Sequence, residues 1–208
     1  MGTPGVGKGT QARLLTERFG IAHVSTGEIL REAVQADSPL GREARQYLDQ
    51  GLLVPDEVVT GIVETRLAAP DCARGFVLDG FPRTVEQAEA LDAMLVGRAE
   101  ALDAVVHVAV PRAEVMRRLA RRRSCPQCGA TFHILSKAPT VADRCDRCGG
   151  ALVGRSDDGE ETVARRMGVY AKQTAPVLDY YARRGLLREV VGTGTPAEVF
   201  ARVTASLA

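Results

Sequence analysis

The residues that follow Met1 form the feature that most constrains what this chain can fold into. Gly2, Gly7 and Lys8 fit the P-loop pattern, in which two glycines separated by four residues are followed by a lysine. The glycines permit a tight turn whose backbone N–H groups point inward, and the lysine attracts the outer phosphates of a nucleotide. A helix predicted over residues 9–19 adds its N-terminal N–H groups to the same anion site. A chance glycine-rich turn would not combine all of these signals, so we predict a phosphate site.

The residue after the lysine departs from the general pattern. Most P-loops have Ser or Thr there to hold magnesium, whereas this chain has Gly9, with Thr10 one position later. The fit to the general pattern therefore has one departure.

The strand that should lead into the loop is not in the chain. A P-loop normally follows a buried parallel strand, and here only Met1 precedes Gly2. Without that central strand we expect a slot lined by apolar side chains and unpaired backbone groups. The sequence as given is therefore expected to start several residues late. Adding about six apolar residues before Met1 should raise the melting temperature.

Composition limits the broad class of the protein. The chain has 208 residues and a net charge of +1, so it can form one main core with a small insert and has no global field to attract nucleic acid. Hydrophobic residues make up 45%, and no apolar run approaches the roughly 20 residues of a membrane span. The N-terminus has no basic-then-apolar signal segment, so a cytoplasmic location is the default expectation.

Strand and helix patterns alternate along the chain. Apolar runs predict strands over residues 21–25, 75–79, 104–110 and 187–191. Helical periodicity predicts helices over residues 9–19, 56–68, 84–96, 114–123, 160–171, 175–184 and 196–207. In the first helix Ala12, Leu15 and Phe19 share one face, and residues 26–54 form a helical lobe broken near Ser38. This alternation predicts an α/β fold with a parallel sheet flanked by helices.

Four of the five cysteines form two Cys-x-x-Cys pairs, each followed by a glycine. The ligand set is Cys125, Cys128, Cys145 and Cys148, a spacing typical of tetrahedral Zn²⁺. A lobe of about 35 residues has too little core to fold alone, so a metal would stabilise it. Four protein ligands leave no open position, which favours a structural role. A disulfide or iron site is the alternative, and Cys72 is expected to be a buried apolar residue.

A basic cluster at residues 117–123 precedes the first cysteine pair and raises the alternative of a nucleic-acid-binding zinc ribbon. Near-neutral net charge and an aromatic content of 4% weaken that alternative, because few side chains could stack on bases. Arginines near a phosphate loop are better explained as phosphate ligands. We therefore expect no nucleic-acid partner and no membrane partner.

With these motifs in view, the chain resembles adenylate kinase, in the bacterial form with a long, zinc-binding lid. The resemblance covers nearly the whole chain and is carried by Gly2 to Thr10, Ser25-Thr26-Gly27-Glu28 with Arg31, Asp79-Gly80-Phe81-Pro82-Arg83 with Gln87, the four lid cysteines, and Thr174-Ala175-Pro176. In that family Gly9 is the usual residue after the lysine. The resemblance implies the nucleoside monophosphate kinase fold, with reversible phosphoryl transfer from MgATP to AMP.

The resemblance also implies roles for individual residues. ATP would contact Gly5, Val6, Gly7, Lys8, Gly9, Thr10, Arg118, Arg122 and Gly194. AMP would contact Thr26, Arg31, Val54, Gly80, Arg83, Gln87, Arg155 and Arg166. The implied catalytic set is Lys8, Asp79, Arg83, Arg118, Arg122, Arg155 and Arg166. Asp79 would hold Mg²⁺ through water, each arginine could instead be a solvated surface residue, and no role is assigned to Asp157 and Asp158.

Three regions follow from the same resemblance. Residues 1–24, 55–121 and 160–208 would form the core, residues 25–54 the AMP-binding lobe, and residues 122–159 the zinc-binding lid. The expected protein is a monomer that maintains adenine nucleotide levels. The alternatives are a kinase with another acceptor, such as UMP or CMP, and a P-loop nucleotide-binding protein impaired by truncation at the N-terminus.

Overall fold

The computed structural model of the chain describes residues 1–134 and 138–207. Nine α-helices lie in these ranges: α1 Lys8–Phe19, α2 Thr26–Gln35, α3 Pro39–Gln50, α4 Asp56–Leu67, α5 Val85–Gly97, α6 Arg112–Ala120, α7 Glu160–Val169, α8 Ala175–Ala182 and α9 Pro196–Ser206. Six strands accompany them: β1 Ala22–Ser25, β2 Phe76–Asp79, β3 Val105–Ala109, β4 Arg122–Ser124, β5 Thr131–His133 and β6 Leu187–Val191. A π-helical segment, Tyr170–Thr174, joins α7 to α8. Part of the predicted lid, residues 135–137, lies outside the described residues.

The core strands form two parallel pairs. β1 pairs with β2 from Ala22↔Phe76 to Ser25↔Asp79, and β3 pairs with β6 from Val105↔Leu187 to Ala109↔Val191. This agrees with the predicted α/β class, because parallel strands require helical crossover connections. The polar end of β2 therefore lies at the same edge as the loop that opens α1.

The backbone of Met1 lies beside β3. Its carbonyl accepts a hydrogen bond from the N–H of Val108 at 2.9 Å, and its amino group donates to the carbonyl of Val106. Within the described residues β2 and β3 belong to separate sheets. A cavity of about 880 Å³ extends from Val77 and Val106 to the start of α2. The expectation that further residues before Met1 would add a strand is untested by this arrangement and stays a prediction.

Two of the apolar clusters outside the lid fix the parallel strand pairs to their helices, and a third, around Tyr180 and Tyr181, packs α8 against α5 and β3. The first joins β1, α4 and α5 through buried residues such as Val24, Val63 and Leu91. The second joins α1, β3, α6, β6 and α9 and includes Val108 and Val115, both at most 3% exposed. Since each of these two clusters fixes one parallel pair to its helices, the strand ends and the loops after them are held on a rigid base.

Several local predictions are confirmed. α1 ends at Gly20, which has a left-handed φ of 65°, and α3 begins after Ser38, whose side chain accepts from the N–H of Gly41. Cys72 is buried as expected, with 1% of its surface exposed. Among the described residues, none of the helices combines the length and the apolar character needed to cross a membrane.

Two local predictions are wrong. The helix predicted over residues 114–123 ends at Ala120, and Arg122 begins β4, which pairs antiparallel with β5. Arginine is a good helix former, but the ladder to β5 and the bridge between Ser124 and Val153 decide the conformation here. Phe19, expected on the buried face of α1, is 53% exposed because the helix ends there.

Candidate active site

The loop before α1 is wrapped around the side chain of Lys8. Its ammonium group donates to the carbonyls of Gly2 at 2.7 Å and Thr3 at 3.0 Å. Gly5 has a left-handed φ of 86°, and a Cβ there would lie 2.7 Å from Leu119 of α6. The predicted glycine pattern is therefore explained by backbone conformation and by close packing against α6.

Lys8 carries its charge at an energetic cost. Burial lowers its pKa to about 8, although the carboxylate of Asp79 works in the opposite direction. The guanidinium groups of Arg83, Arg166 and Arg122 lower the pKa further. A bound anion would relieve both the desolvation and the repulsion, so this lysine is arranged to receive phosphate.

Asp79 ends β2 directly beside the loop. A Cβ at Gly9 would lie 3.0 Å from its Oδ2 atom, which explains why the residue after the lysine is glycine. Burial opposes ionisation, but the adjacent His23 imidazole and the charge of Lys8 outweigh it and lower the pKa of the Asp79 carboxyl. The Nε2 atom of His23 lies 3.7 Å from Oδ2. Asp79 is therefore an ionised carboxylate near the phosphate loop, where a hydrated Mg²⁺ could be held.

Arg118 joins the loop to the C-terminal part of the chain. Its guanidinium group donates to the carbonyls of Val6 at 3.1 Å and Gly192 at 3.0 Å, and to the Glu114 carboxylate at 2.9 Å. Gly194, with φ of 105°, follows in the same turn. The structure thus places Arg118 and Gly194 on the loop side of the site, as the resemblance implies, with Arg118 bound by protein groups.

A second group of residues surrounds Gly80. The carbonyl of Gly80 accepts from the Thr26 hydroxyl at 3.0 Å and from Nε of Arg83 at 2.7 Å. Burial, followed by repulsion from Arg166, lowers the pKa of Arg83 to about 10, and burial also lowers the pKa of Arg31. These residues share the 880 Å³ cavity with other predicted site residues, namely Lys8, Val54, Asp79, Gln87 and Arg166.

Two of the predicted site arginines, Arg122 and Arg166, form ion pairs with Asp158 and Asp157. Asp158 forms a bidentate ion pair with Arg122, whose Nε lies 2.7 Å from Oδ2. Asp157 accepts from Arg166 at 2.8 Å. Burial, followed by repulsion from Arg31, lowers the pKa of Arg155 to about 9. Asp157 and Asp158, left without a role by the sequence, therefore hold the donors of Arg122 and Arg166 in place.

Sequence reasoning missed Asp56, the first residue of α4. Its carboxylate accepts from Nε2 of Gln87 at 2.7 Å and from the Thr84 hydroxyl at 2.6 Å. Pro55 and Asp56 form a common pattern at the start of a helix, where an acidic residue in the first turn needs no functional explanation. The sequence therefore offers no reason to select Asp56. His23 was missed for a similar reason, since one histidine in an apolar strand indicates no partner.

The four predicted metal ligands come together. Their sulfur atoms all lie within 4.8 Å of one another, and the closest pairs are Cys125 with Cys148 at 3.4 Å and Cys128 with Cys145 at 3.5 Å. A Zn–S distance of about 2.3 Å would put tetrahedral sulfurs about 3.8 Å apart, so the donor set fits Zn²⁺. All four are free cysteines, which argues against the disulfide alternative.

The two cysteine turns have matching backbone geometry. The N–H of Gly129 donates to the backbone carbonyl of Cys125 at 3.0 Å, and the N–H of Gly149 donates to the backbone carbonyl of Cys145 at 2.8 Å. Both glycines are left-handed, with φ of 68° and 73°. Such paired turns direct both cysteine side chains of each pair toward one point.

Comparison with known proteins agrees with this geometry. The family model described as adenylate kinase matches residues 1–186 of the chain. The chain is 53% identical over 207 residues to an adenylate kinase from Carboxydothermus hydrogenoformans, which covers 100% of this chain and 97% of that protein. It is 54% identical over 202 residues to one from Moorella thermoacetica, covering 97% and 93%. An adenylate kinase from Archaeoglobus fulgidus is 50% identical over 207 residues, covering 100% and 95%.

Proposed function

The chain belongs to the adenylate kinase family, and on that premise we propose how its residues divide the work of phosphoryl transfer. The reaction moves the terminal phosphoryl group of ATP to AMP and gives two ADP. The observation that carries the proposal is the convergence of Lys8, Arg83 and Arg166 on one cavity together with Asp79. Phosphoryl transfer requires positioning and neutralisation of charge more than a covalent catalyst, and this set supplies both.

The loop side is proposed to bind ATP. The ammonium group of Lys8 and the N–H groups from Gly5 to Thr10 would hold the phosphates, while Arg118 and Gly194 would complete the same ATP subsite. Mg²⁺, bound with ATP, neutralises phosphate charge during transfer. Asp79 would hold that ion through water, because its carboxylate is ionised and lies beside the loop.

The opposite side is proposed to bind AMP. Arg83 and Arg31 are buried guanidinium groups with lowered pKa values, which a monophosphate would relieve. Thr26, Val54 and Gln87 lie in the same cavity, where they could surround the base. Gly80 connects the proposed phosphate ligand to the proposed base contact, since its carbonyl accepts hydrogen bonds from both Arg83 and Thr26.

Arg122 and Arg155 of the lid, together with Arg166 of the core, are proposed to act on the phosphoryl group between the two nucleotides. Ion pairs with Asp158 and Asp157 hold Arg122 and Arg166 in position, and the guanidinium group of Arg155 donates to the Thr131 hydroxyl at 3.0 Å. Closure of a lid over the nucleotides, which keeps water from accepting the phosphoryl group, is already known for adenylate kinases. We assign residues 25–54 to the AMP lobe and 122–159 to the lid, with the remainder as core.

The lid metal is proposed to be structural Zn²⁺. Among the described lid residues, the apolar cluster contains Ala130, Phe132 and Leu152 besides the cysteines, so metal ligation would provide much of its stability. Metal analysis of protein never exposed to a chelator tests this proposal. A zinc content below about half an atom per chain would contradict it.

An ADP-formation assay tests the function and the acceptor. MgATP is combined in turn with AMP, UMP, CMP and GMP, using this chain and a variant extended before Met1. We expect AMP to have the highest kcat/KM, and a higher value for UMP or CMP would favour the alternative kinase. No turnover with any acceptor in either protein would contradict the assignment. Monomeric state and cytoplasmic location stay predictions that sedimentation and fractionation can check.

A further inference from the structure

The side-chain amide of Gln87 is held at both ends by protein groups. Its Oε1 atom accepts from the backbone N–H of Arg83 at 2.7 Å, and its Nε2 atom donates to Oδ1 of Asp56 at 2.7 Å. The residue is 2% exposed, so water cannot replace either partner freely. Its orientation is therefore set by the two partners.

Chemistry permits only one orientation of this amide. A backbone N–H can only donate, and a carboxylate can only accept. Rotating the amide by half a turn would put the NH₂ group of Gln87 against the N–H of Arg83 and its oxygen against the Asp56 carboxylate. Two buried hydrogen bonds would be lost and like partial charges would meet. The assignment of oxygen and nitrogen therefore follows from the partners themselves.

Asp56 is in turn fixed by the helix that carries Gln87. The Thr84 hydroxyl donates to Oδ2 of Asp56 at 2.6 Å and accepts from the N–H of Gln87 at 3.1 Å, where it caps α5. The carboxylate thus joins the first turn of α4 to the first turn of α5. It cannot turn away from Gln87 without releasing the hydroxyl.

The free valences of the Gln87 amide match one class of purine. One N–H and one oxygen lone pair remain, and Gln87 lines the cavity together with Thr26 and Val54. A 6-aminopurine presents a donor at N6 and an acceptor at N1, which complement that oxygen and that N–H. A 6-oxopurine presents an acceptor and a donor in the reverse order, which would need the rotated amide.

We propose that Asp56 is a positioning residue that determines specificity for a 6-aminopurine monophosphate by fixing the amide of Gln87. This inference rests on the proposed function, in which Gln87 faces the acceptor base. Asp56 itself does not touch the base. Without its carboxylate, only the N–H of Arg83 favours the orientation that rejects a 6-oxopurine.

The experiment compares AMP with IMP, whose bases differ in the donor and acceptor pattern at positions 1 and 6. Asp56→Leu removes the acceptor at nearly constant size, Asp56→Asn keeps a neutral acceptor oxygen, and Glu57→Gln removes an exposed carboxylate from the same helical turn. With D56L we expect the ratio of kcat/KM for AMP over IMP to fall about tenfold, mainly through KM for AMP, with kcat changed less than about threefold. D56N should restore the ratio to within about threefold, and E57Q should leave it unchanged.

Two results would overturn the proposal. A D56L variant that loses activity equally with AMP and IMP would show that Asp56 is merely structural, and so would a D56N variant no better than D56L. If D56L does not fold, Asp56→Ser gives the same test, because its short side chain does not reach Gln87. Calorimetric Kd values for AMP and IMP measure the ratio without turnover, so failure of the enzyme assignment would remain distinguishable.

Discussion

We expect ATP affinity to depend on pH because burial lowers the pKa of Lys8. Its pKa is about 8 in the free protein, so the side chain is about 90% charged at pH 7 and about 10% charged at pH 9. Bound phosphates favour the charged form, which raises the pKa in the complex. Proton uptake must then accompany binding at the higher pH, and we expect affinity to fall as pH rises through 8.

The size of the effect follows from the same value. If ATP binds only the protonated lysine, the apparent Kd rises by at most about tenfold between pH 7 and pH 9, equivalent to about 1.4 kcal/mol. The Met1 amine, with a pKa lowered by burial to about 5, stays neutral over this range. Asp79, whose pKa is also lowered, stays ionised. Neither of these two groups would therefore mask the titration of Lys8, whereas Arg155, with a pKa of about 9, adds to the loss of positive charge toward pH 9.

Calorimetry with a non-hydrolysable ATP analogue and Mg²⁺ at pH 7, 8 and 9 measures this change. Lys8→Arg is the matched control, because an arginine has a higher intrinsic pKa than a lysine and loses less of its charge over this range. If the Lys8→Arg variant does not bind the ATP analogue, the Lys8→Met variant is used instead, and its weak affinity for the analogue should not depend on pH. A rise in Kd of less than about twofold for the unmodified chain, or an equal rise for the arginine variant, would refute the reasoning. Without nucleotide, the folding stability of the protein changes with pH in the opposite direction to ATP affinity. Between pH 8 and 10.5 the unfolded chain keeps Lys8 protonated while the folded chain does not, so the free energy of unfolding rises with pH there.

Three further outcomes are expected. Replacing Cys125 and Cys128 by Ser should lower the unfolding temperature but leave turnover at 25 °C within a few-fold, and a loss above about a hundredfold would contradict a structural role for the metal. Adding about six apolar residues before Met1 should raise the melting temperature by pairing with β3, and an unchanged value would contradict that expectation. Arg83→Met should lower kcat/KM for AMP by about a hundredfold or more through lost phosphate contacts, whereas Arg66→Met, at an exposed ion pair, should change it little.

Local signals in the sequence were sufficient for much of the fold. The left-handed end of α1 at Gly20, the break before α3 at Ser38 and the strand that ends at Asp79 all follow from the conformational limits of single residues and from short apolar periods. The cysteine pairs also predicted their own assembly, because zinc coordination needs a fixed spacing along the chain. In each case the physical cause acts over a few neighbouring residues.

Tertiary contacts decided the remaining features. Arg122 belongs to a helix by local preference but to β4 in the structure, because β5 supplies the ladder hydrogen bonds. Asp157 and Asp158 acquire a role only where they meet Arg166 and Arg122. Such partners are distant in the sequence, so no local pattern could indicate them.

The P-loop shows this division within a single site. The sequence by itself predicted a phosphate loop at residues 2–10, and Gly2, Gly5 and Gly7 have the left-handed backbone angles that favour glycine there. Only the tertiary structure decided how strongly the charge of Lys8 is perturbed, because burial and the nearby arginines lower its pKa. It likewise decided which amide orientation Gln87 presents, since Asp56 lies 31 positions away in the chain and reaches Gln87 only through folding.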